Sequence, residues 1–373
     1  MAFCTEESPQ IFCFEMNVHV PLARVKGFPF SFECDTGVAG RKGMPMAKAI
    51  NLTLARLKEV LRRQDPPKWG LDYDPAIRAV REEAPSKSRF AQVWWERHGR
   101  YCHTLSSIEQ KALLIALFNP ALFEMQEQRM LATEARPHPL SGYEAAGGMN
   151  LPALRGTIDV CDRLDMIERH LWIHMEHPDG TGRVPVPAPF IGDLLLFLSD
   201  AQGPYCVNWT IKSTEEEFGR RLLASRPSRR PKEDAEAVRI RHAIEERYYA
   251  DAGIPTIRVV DRDMPALFIQ NIKDFILIQH RAAGFDAALY AEVCDRLQAC
   301  IQTGQPPIMA LGSMMRRYDL SLEIAKAACW RALWRRDVRP ELMDEAIFPD
   351  LPLKPQRRYS LHAFSAWFAR TQV

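Results

Sequence analysis

Apolar and polar residues alternate with strand period most cleanly in residues 205–212, YCVNWTIK. There Val207, Trp209 and Ile211 fall on one side, and Cys206, Asn208, Thr210 and Lys212 on the other. The run just before it, residues 193–198 (DLLLFL), is apolar on both sides after Asp193, as in a strand inside a sheet. The turn formers Ser199-Asp200-Ala201-Gln202-Gly203-Pro204 lie between them, so the two runs predict a hairpin. Helical spacing appears upstream. Ser106 is a good N-cap, Glu109 is its capping-box partner, and Ile108, Ala112, Leu113, Ile115, Ala116 and Leu117 supply a buried face before Asn119-Pro120. Residues 121–131 read as a strand, 135–150 as a Pro/Gly-rich loop and 157–175 as a helix. A further helix over 233–251 ends at Gly253 and Pro255, and the β-branched run 256–260 (TIRVV) is a strand. Helix, strand, insertion, strand, strand, helix, strand is the order of an α/β mixed sheet flanked by helices.

The flanks read differently. Residues 45–63 form an amphipathic helix stopped by Asp65-Pro66-Pro67, and 82–89 is polar enough for a linker. Beyond 264 the pattern is helical, over 269–279, 287–302, 308–317 and 321–335. The last two, separated by Tyr318-Asp319-Leu320, have the form of a helix-turn-helix, and Arg331, Arg335, Arg336 and Arg339 crowd the second one's end. That fits a winged-helix-like module that touches DNA or a protein, and equally a helical packing domain. A tail helix over 360–370, with Phe364, Trp367 and Phe368, offers an apolar side for a partner. The chain thus divides into an N-terminal extension of uncertain fold (1–94), a central α/β domain (95–263) and a mainly α-helical C-terminal domain (264–373).

Composition narrows the class. With 373 residues, two or three domains are expected. Hydrophobic content of 47% and charged content of 26% are ordinary for a globular protein. The absence of a membrane-length apolar run, the lack of a signal-peptide order in MAFCTEESPQ and nine unpatterned cysteines point to the cytoplasm. A net charge of +2 decides nothing, but its distribution does. Arg220, Arg221, Arg226, Arg229 and Arg230 form a loop-like basic run suited to DNA phosphates.

Three sets of residues carry candidate chemistry. Asp193 opening a buried strand and Lys212 on the polar face of its neighbour both need partners. A structural ion pair satisfies them, and so does a shared metal and phosphate site. Glu109 is either the capping-box acid alone or also a carboxylate that reaches the hairpin. His170, His174 and His177 have a spacing that could place two on one helix face, but no cysteine stands at zinc-ligand spacing, so packing and surface roles are the ordinary reading.

The runs SSIEQKALLIALF, FIGDLLLFLSD, NWTIK and ERYYADAGIPTIRVVDRD together resemble the TnsA-type endonuclease subunit of heteromeric bacterial transposases, over about residues 95–263 and more weakly beyond. The resemblance implies a restriction-endonuclease-like, PD-(D/E)xK fold with Glu109 as the helix glutamate, Asp193 as the strand aspartate and Lys212 as the strand lysine. It implies Mg2+ or Mn2+ held by Glu109, Asp193 and the Ile211 carbonyl. Thr210 departs from the pattern, since many such nucleases carry Glu, Asp or Gln there. Further implications are cleavage of the non-transferred strand at the 5′ transposon ends, a DDE-type transposase subunit as partner, and an ATP-dependent transposition regulator contacted through the C-terminal domain. The setting would be the bacterial nucleoid. A non-catalytic DNA-binding or assembly subunit with a nuclease fold, and a stand-alone restriction-type nuclease, are the alternatives.

Overall fold

The computed structural model describes residues 53–86, 88–176, 180, 182–219, 231–278 and 286–371. The first element, α1 (Leu54–Gln64), is capped by Thr53, whose hydroxyl accepts the Arg56 N–H, and it buries Leu57 and Val60. The expected helix starts at 45, and its first residues lie outside the described ones. Strands β1 (Ala91–Trp95) and β2 (Arg100–Thr104) form an antiparallel hairpin around Gly99, which adopts φ +60°. Next come α2 (Ser107–Phe118), β3 (Leu122–Glu127) and β4 (Met130–Leu131).

The 157–175 region departs from its expected helix. Only α3 (Thr157–Arg163) is α-helical. Asp165 then takes a left-handed φ of +56°, a 3-10 turn covers Ile167–Arg169, and Trp172–Glu176 is strand β5. Its partner is β6 (Arg183–Pro187), so the backbone groups that a longer helix would have satisfied are satisfied across a hairpin.

After β7 (Phe190–Ile191), β8 (Leu194–Asp200) and β9 (Gly203–Lys212) form the expected hairpin, with Asp200 paired to Gly203. The turn is therefore two residues, Ala201 and Gln202, rather than the whole six-residue stretch. Helix α4 (Pro231–Ala250) ends ahead of Gly253 at φ +71°, and β10 (Thr256–Val260) follows. The main sheet has the order β10-β9-β8-β3, with β10 parallel to β9 and the other pairs antiparallel. It is a mixed sheet with apolar packing on both faces. Leu194, Leu196, Leu198, Val207, Trp209 and Ile211 share one cluster with α2, while Leu195, Phe197 and Cys206 share another with Ile240, Ile244 and Tyr248 of α4. The two sets alternate along each strand, as the pleat requires.

The remainder is helical: α5 (Ala266–Ile278), α6 (Ala287–Thr303), α7 (Pro307–Tyr318) and α8 (Leu322–Arg335). Ser321 caps α8 as expected, its hydroxyl accepting the Ile324 N–H. The winged-helix reading is not borne out. Among the described residues after β10, the only β pairing is a single bridge between Pro340 and Pro355. Helix α8 buries Ala325, Ala327, Ala328, Cys329, Trp330, Ala332 and Leu333 on one side and leaves Leu322, Ile324 and Arg335 exposed.

The tail also docks on the chain itself. A 3-10 segment, Ser360–Phe368, buries Phe364 and Phe368 in the cluster that contains Trp209, the Trp209 indole N–H donates to the Trp367 carbonyl at 2.8 Å, and the Tyr205 hydroxyl donates to that of Phe368 at 2.9 Å. Both sequence-drawn boundaries fall inside packed structure: β1 spans 94/95, and the large apolar cluster crosses 263/264. Among the described residues no helix is long and apolar enough to cross a membrane.

Candidate active site

One end of the sheet gathers charge. The last residue of β3, the residue before β8 and the last residue of β9 all lie there, because β8 runs antiparallel to both neighbours. Asp193 sits just before β8 rather than within it. Its Oδ2 accepts the Ile211 N–H at 2.7 Å and the Lys212 Nζ at 3.3 Å. Lys212 Nζ also donates to the Ile211 carbonyl at 2.8 Å and stands 6.0 Å from the centre of the Phe218 ring. Burial alone would raise the Asp193 carboxyl, but the Lys212 charge, the Ile211 N–H and the Arg241 charge outweigh it and hold the group below its ordinary range.

Glu109 makes the capping box and is linked through Gln128 to Asp193. Its N–H donates to Ser106 Oγ at 3.1 Å, and its carboxylate accepts the Ser106 hydroxyl at 3.0 Å and the Leu105 N–H at 2.8 Å, which makes a capping box. The same carboxylate accepts Gln128 Nε2 at 3.0 Å, while the Gln128 N–H donates to the Asp193 carbonyl at 2.9 Å. Gln128, at φ +49°, therefore bridges the two acidic residues. Burial, and then the Asp193 charge, pushes Glu109 up to about 7.

A third carboxylate is absent from the sequence-based set. Glu245 on α4 is 4% exposed, and its Oε1 accepts Asn208 Nδ2 at 3.1 Å. Burial and the Asp193 charge push it, too, up to about 7. The glycine before Asp193 makes room for it: a Cβ at Gly192 would stand 3.3 Å from Glu245 Oε1. The signal lies in the helical pattern, where Glu245 shares a stripe with Tyr248, Tyr249 and Ala252, all buried.

The polar face of β9 is buried rather than solvated. Asn208 and Thr210 are 0% and 1% exposed. Asn208 Oδ1, Thr210 Oγ1 and His242 Nδ1 have no hydrogen-bond partner among the described residues. His242 lies one turn before Glu245 with its ring 5.1 Å from Phe218, and burial, followed by the Lys212 and Arg241 charges, pushes it down to about 3.

Other expected groups stand apart. Arg220, Arg221, Arg226, Arg229 and Arg230 lie outside the described residues. The histidine set does not share a helix. His170 Nε2 pairs with the Thr157 hydroxyl at 2.8 Å and its Nδ1 with the Leu171 carbonyl at 2.9 Å, His174 is in β5, and His177 lies outside the described residues. Among the described residues no group of three or more His, Cys, Asp or Glu side chains is arranged to hold a metal ion. No protein-family description matches the chain, and no curated protein matches it closely enough to count as a relative.

Proposed function

We propose that this chain is a metal-dependent DNA endonuclease of restriction-endonuclease-like fold, the subunit of a cut-and-paste transposase that cleaves the non-transferred strand at the 5′ transposon ends. The observation that carries this reading is the meeting of Glu109, Asp193 and Lys212, from three separate elements, at one sheet end around Gln128. A DDE-type transposase subunit would cut the other strand, and an ATP-dependent regulator would be contacted through the C-terminal helices.

The donor set suits a hard divalent cation, magnesium or manganese, in kind. Asp193 Oδ1 accepts no hydrogen bond from a described residue, and Glu109 is pushed toward its neutral form by burial and by its acidic neighbour. Glu109, Asp193 and the Ile211 carbonyl would hold such an ion, leaving other positions to water and phosphate oxygens. When bound, it supplies charge stabilisation at the attacked phosphate and a more acidic water. Lys212 would place a positive charge where the phosphate gains negative charge. Gln128 fixes the Glu109 carboxylate. Thr210 brings no charge, and the buried acid Glu245 on α4 stands behind the site, against Asn208 and Gly192.

One observation favours the assembly-subunit alternative. Lys212 Nζ is already engaged by Asp193 and the Ile211 carbonyl, as in an ordinary structural pair. The deciding experiment is nicking of transposon-end DNA with Mg2+ or Mn2+, with and without the partner subunits, alongside calorimetric titration with Mn2+. The expected result is a 5′ nick by wild type and none by Asp193→Ala, which also loses Mn2+ binding. No nick by wild type, with equal Mn2+ binding by both proteins, would favour the assembly subunit.

A further inference from the structure

A cavity of about 400 Å3 opens beside the acidic centre, between the end of α1 with its following loop and the edge formed by β3 and β4. That volume lies in the range of small-ligand sites. Among the described residues, two of its lining groups lack partners. Arg129 is only partly exposed, yet among the described residues its guanidinium has neither an ion pair nor a hydrogen bond. The neighbouring arginines are paired, Arg136 with Asp65 at 2.7 Å and Arg63 with Glu83 at 2.6 Å. Among the described residues Lys68 Nζ meets only the Arg62 carbonyl, at 3.2 Å. Gln126 is 1% exposed and braces this wall: its Nε2 donates to the Lys68 carbonyl at 3.0 Å, while its buried Oε1 accepts nothing from a described residue.

An unpaired guanidinium and an ammonium select an anion, and a forked guanidinium suits phosphate. Trp69 and Tyr73 add aromatic wall to the same cavity. A nucleotide carries both features, a phosphate and a flat ring. We propose that this cavity binds one nucleotide unit, with its phosphate on Arg129 and Lys68 and its base against Trp69 and Tyr73.

The cavity adjoins the acidic centre through the backbone. The Arg129 carbonyl accepts the Gly192 N–H at 2.8 Å, and Gln64 on the cavity wall donates to the Gln128 carbonyl at 3.2 Å. If the nuclease reading holds, the nucleotide belongs to the DNA being cut; the same chemistry would also accept a free nucleotide. Only that choice of source rests on the nuclease reading.

The test uses the full chain and isothermal titration with dAMP, dCMP, deoxycytidine and inorganic phosphate. Both monophosphates should bind more tightly than either the nucleoside or phosphate alone. Arg129→Gln should weaken them about tenfold or more, the scale of one charged hydrogen bond. Trp69→Leu should weaken the monophosphates and leave phosphate unchanged. Should that variant fail to fold, as judged by circular dichroism, the titration of Arg129→Gln decides alone. Asp193→Asn should keep nucleotide binding while losing cleavage, so the cavity and the nuclease reading can fail separately. Competition by a short single-stranded oligonucleotide assigns the site to DNA, and its absence assigns it to free nucleotide. No binding of either monophosphate at millimolar concentration, or binding indifferent to Arg129→Gln, overturns the proposal.

Discussion

Two groups of buried charge lie on either side of Gln128, and they differ in whether their oxygens are satisfied. In the first, Arg100 donates to both oxygens of Glu127, at 2.8 and 3.0 Å, and the His103 N–H adds a third bond at 3.0 Å. Glu124 accepts the Gly70 N–H at 2.6 Å on one oxygen and the Met125 N–H at 2.7 Å on the other. Burial works against the Arg100 charge, and Glu127 more than offsets it, so the guanidinium is held more firmly than usual. Of this group, only Arg100 Nε lacks a partner among the described residues. In the second group, Asp193 Oδ1, Asn208 Oδ1 and Thr210 Oγ1 accept nothing from described residues, and two carboxylates are pushed up to about 7. A satisfied cluster holds structure together, whereas an unsatisfied one with shifted carboxylates is a place for chemistry.

The largest effect should come from the satisfied cluster. Arg100→Leu leaves Glu127 buried without its counter-charge, which should cost about 3–5 kcal/mol of stability. Denaturant unfolding measures it. A loss under about 1 kcal/mol would mean that the cluster is not structural.

Next is Lys212→Ala. If the pair with Asp193 is catalytic, the protein stays folded and binds DNA, but 5′-end cleavage falls by a factor on the order of a hundred or more. The partner's cut on the other strand persists, so gels that resolve both strands separate the outcomes. A lowered melting temperature with normal double-strand breaks would instead move Lys212 into the structural class.

Glu245→Gln tests the strain of the unsatisfied cluster directly. The folded carboxyl sits near 7 against an ordinary 4.5, so the fold favours its protonated form. That contribution is fully present below pH 4.5 and is lost as pH rises toward 7. At pH 8 the metal-free wild type should therefore be less stable than Glu245→Gln by about 3 kcal/mol, while at pH 4.5 the two should nearly match. Unfolding curves at both pH values check it, and a gap that does not change with pH would contradict the assignment.

The smallest effect supplies a baseline. Arg331 meets Glu96 at 2.6 Å, but Glu96 is 42% exposed, so Arg331→Ala should cost less than about 1 kcal/mol, and less again in high salt. A larger thermal shift would show that this pair belongs with Arg100.

The hairpin is legible in the sequence because strand period and turn formers are local signals, and β8 and β9 follow them closely. The capping box at Glu109 is legible for the same reason. The strand identity of Trp172–Glu176 is hidden because its apolar residues also suit helical spacing, and the choice rests on pairing with Arg183–Pro187. Glu245 is hidden because its environment is made by β9 and Gly192, which are distant in sequence. Gln128 gives no local signal, since its bridging role needs a left-handed backbone at the end of β3.

The docked segment Ser360–Phe368 bears on the order of folding. Trp209 lies in the middle of the sheet's core, yet its indole N–H is satisfied by Trp367, 158 positions along the chain, and Tyr205 is closed off in the same way by Phe368, 163 positions along. Arg370 extends this seam to Asp200 at 2.6 Å. Contacts this distant close large loops before they return energy, and such topologies fold slowly. Strands β8 and β9 can pair early, because their turn is two residues long. Helix α2 packs on the face of β9 that carries Trp209, but the part of it that Trp367 and Phe368 cover stays open until nearly all the described chain has been made. A chain cut at 263 would leave that surface uncovered, so the central region should aggregate when expressed alone rather than behave as an independent domain.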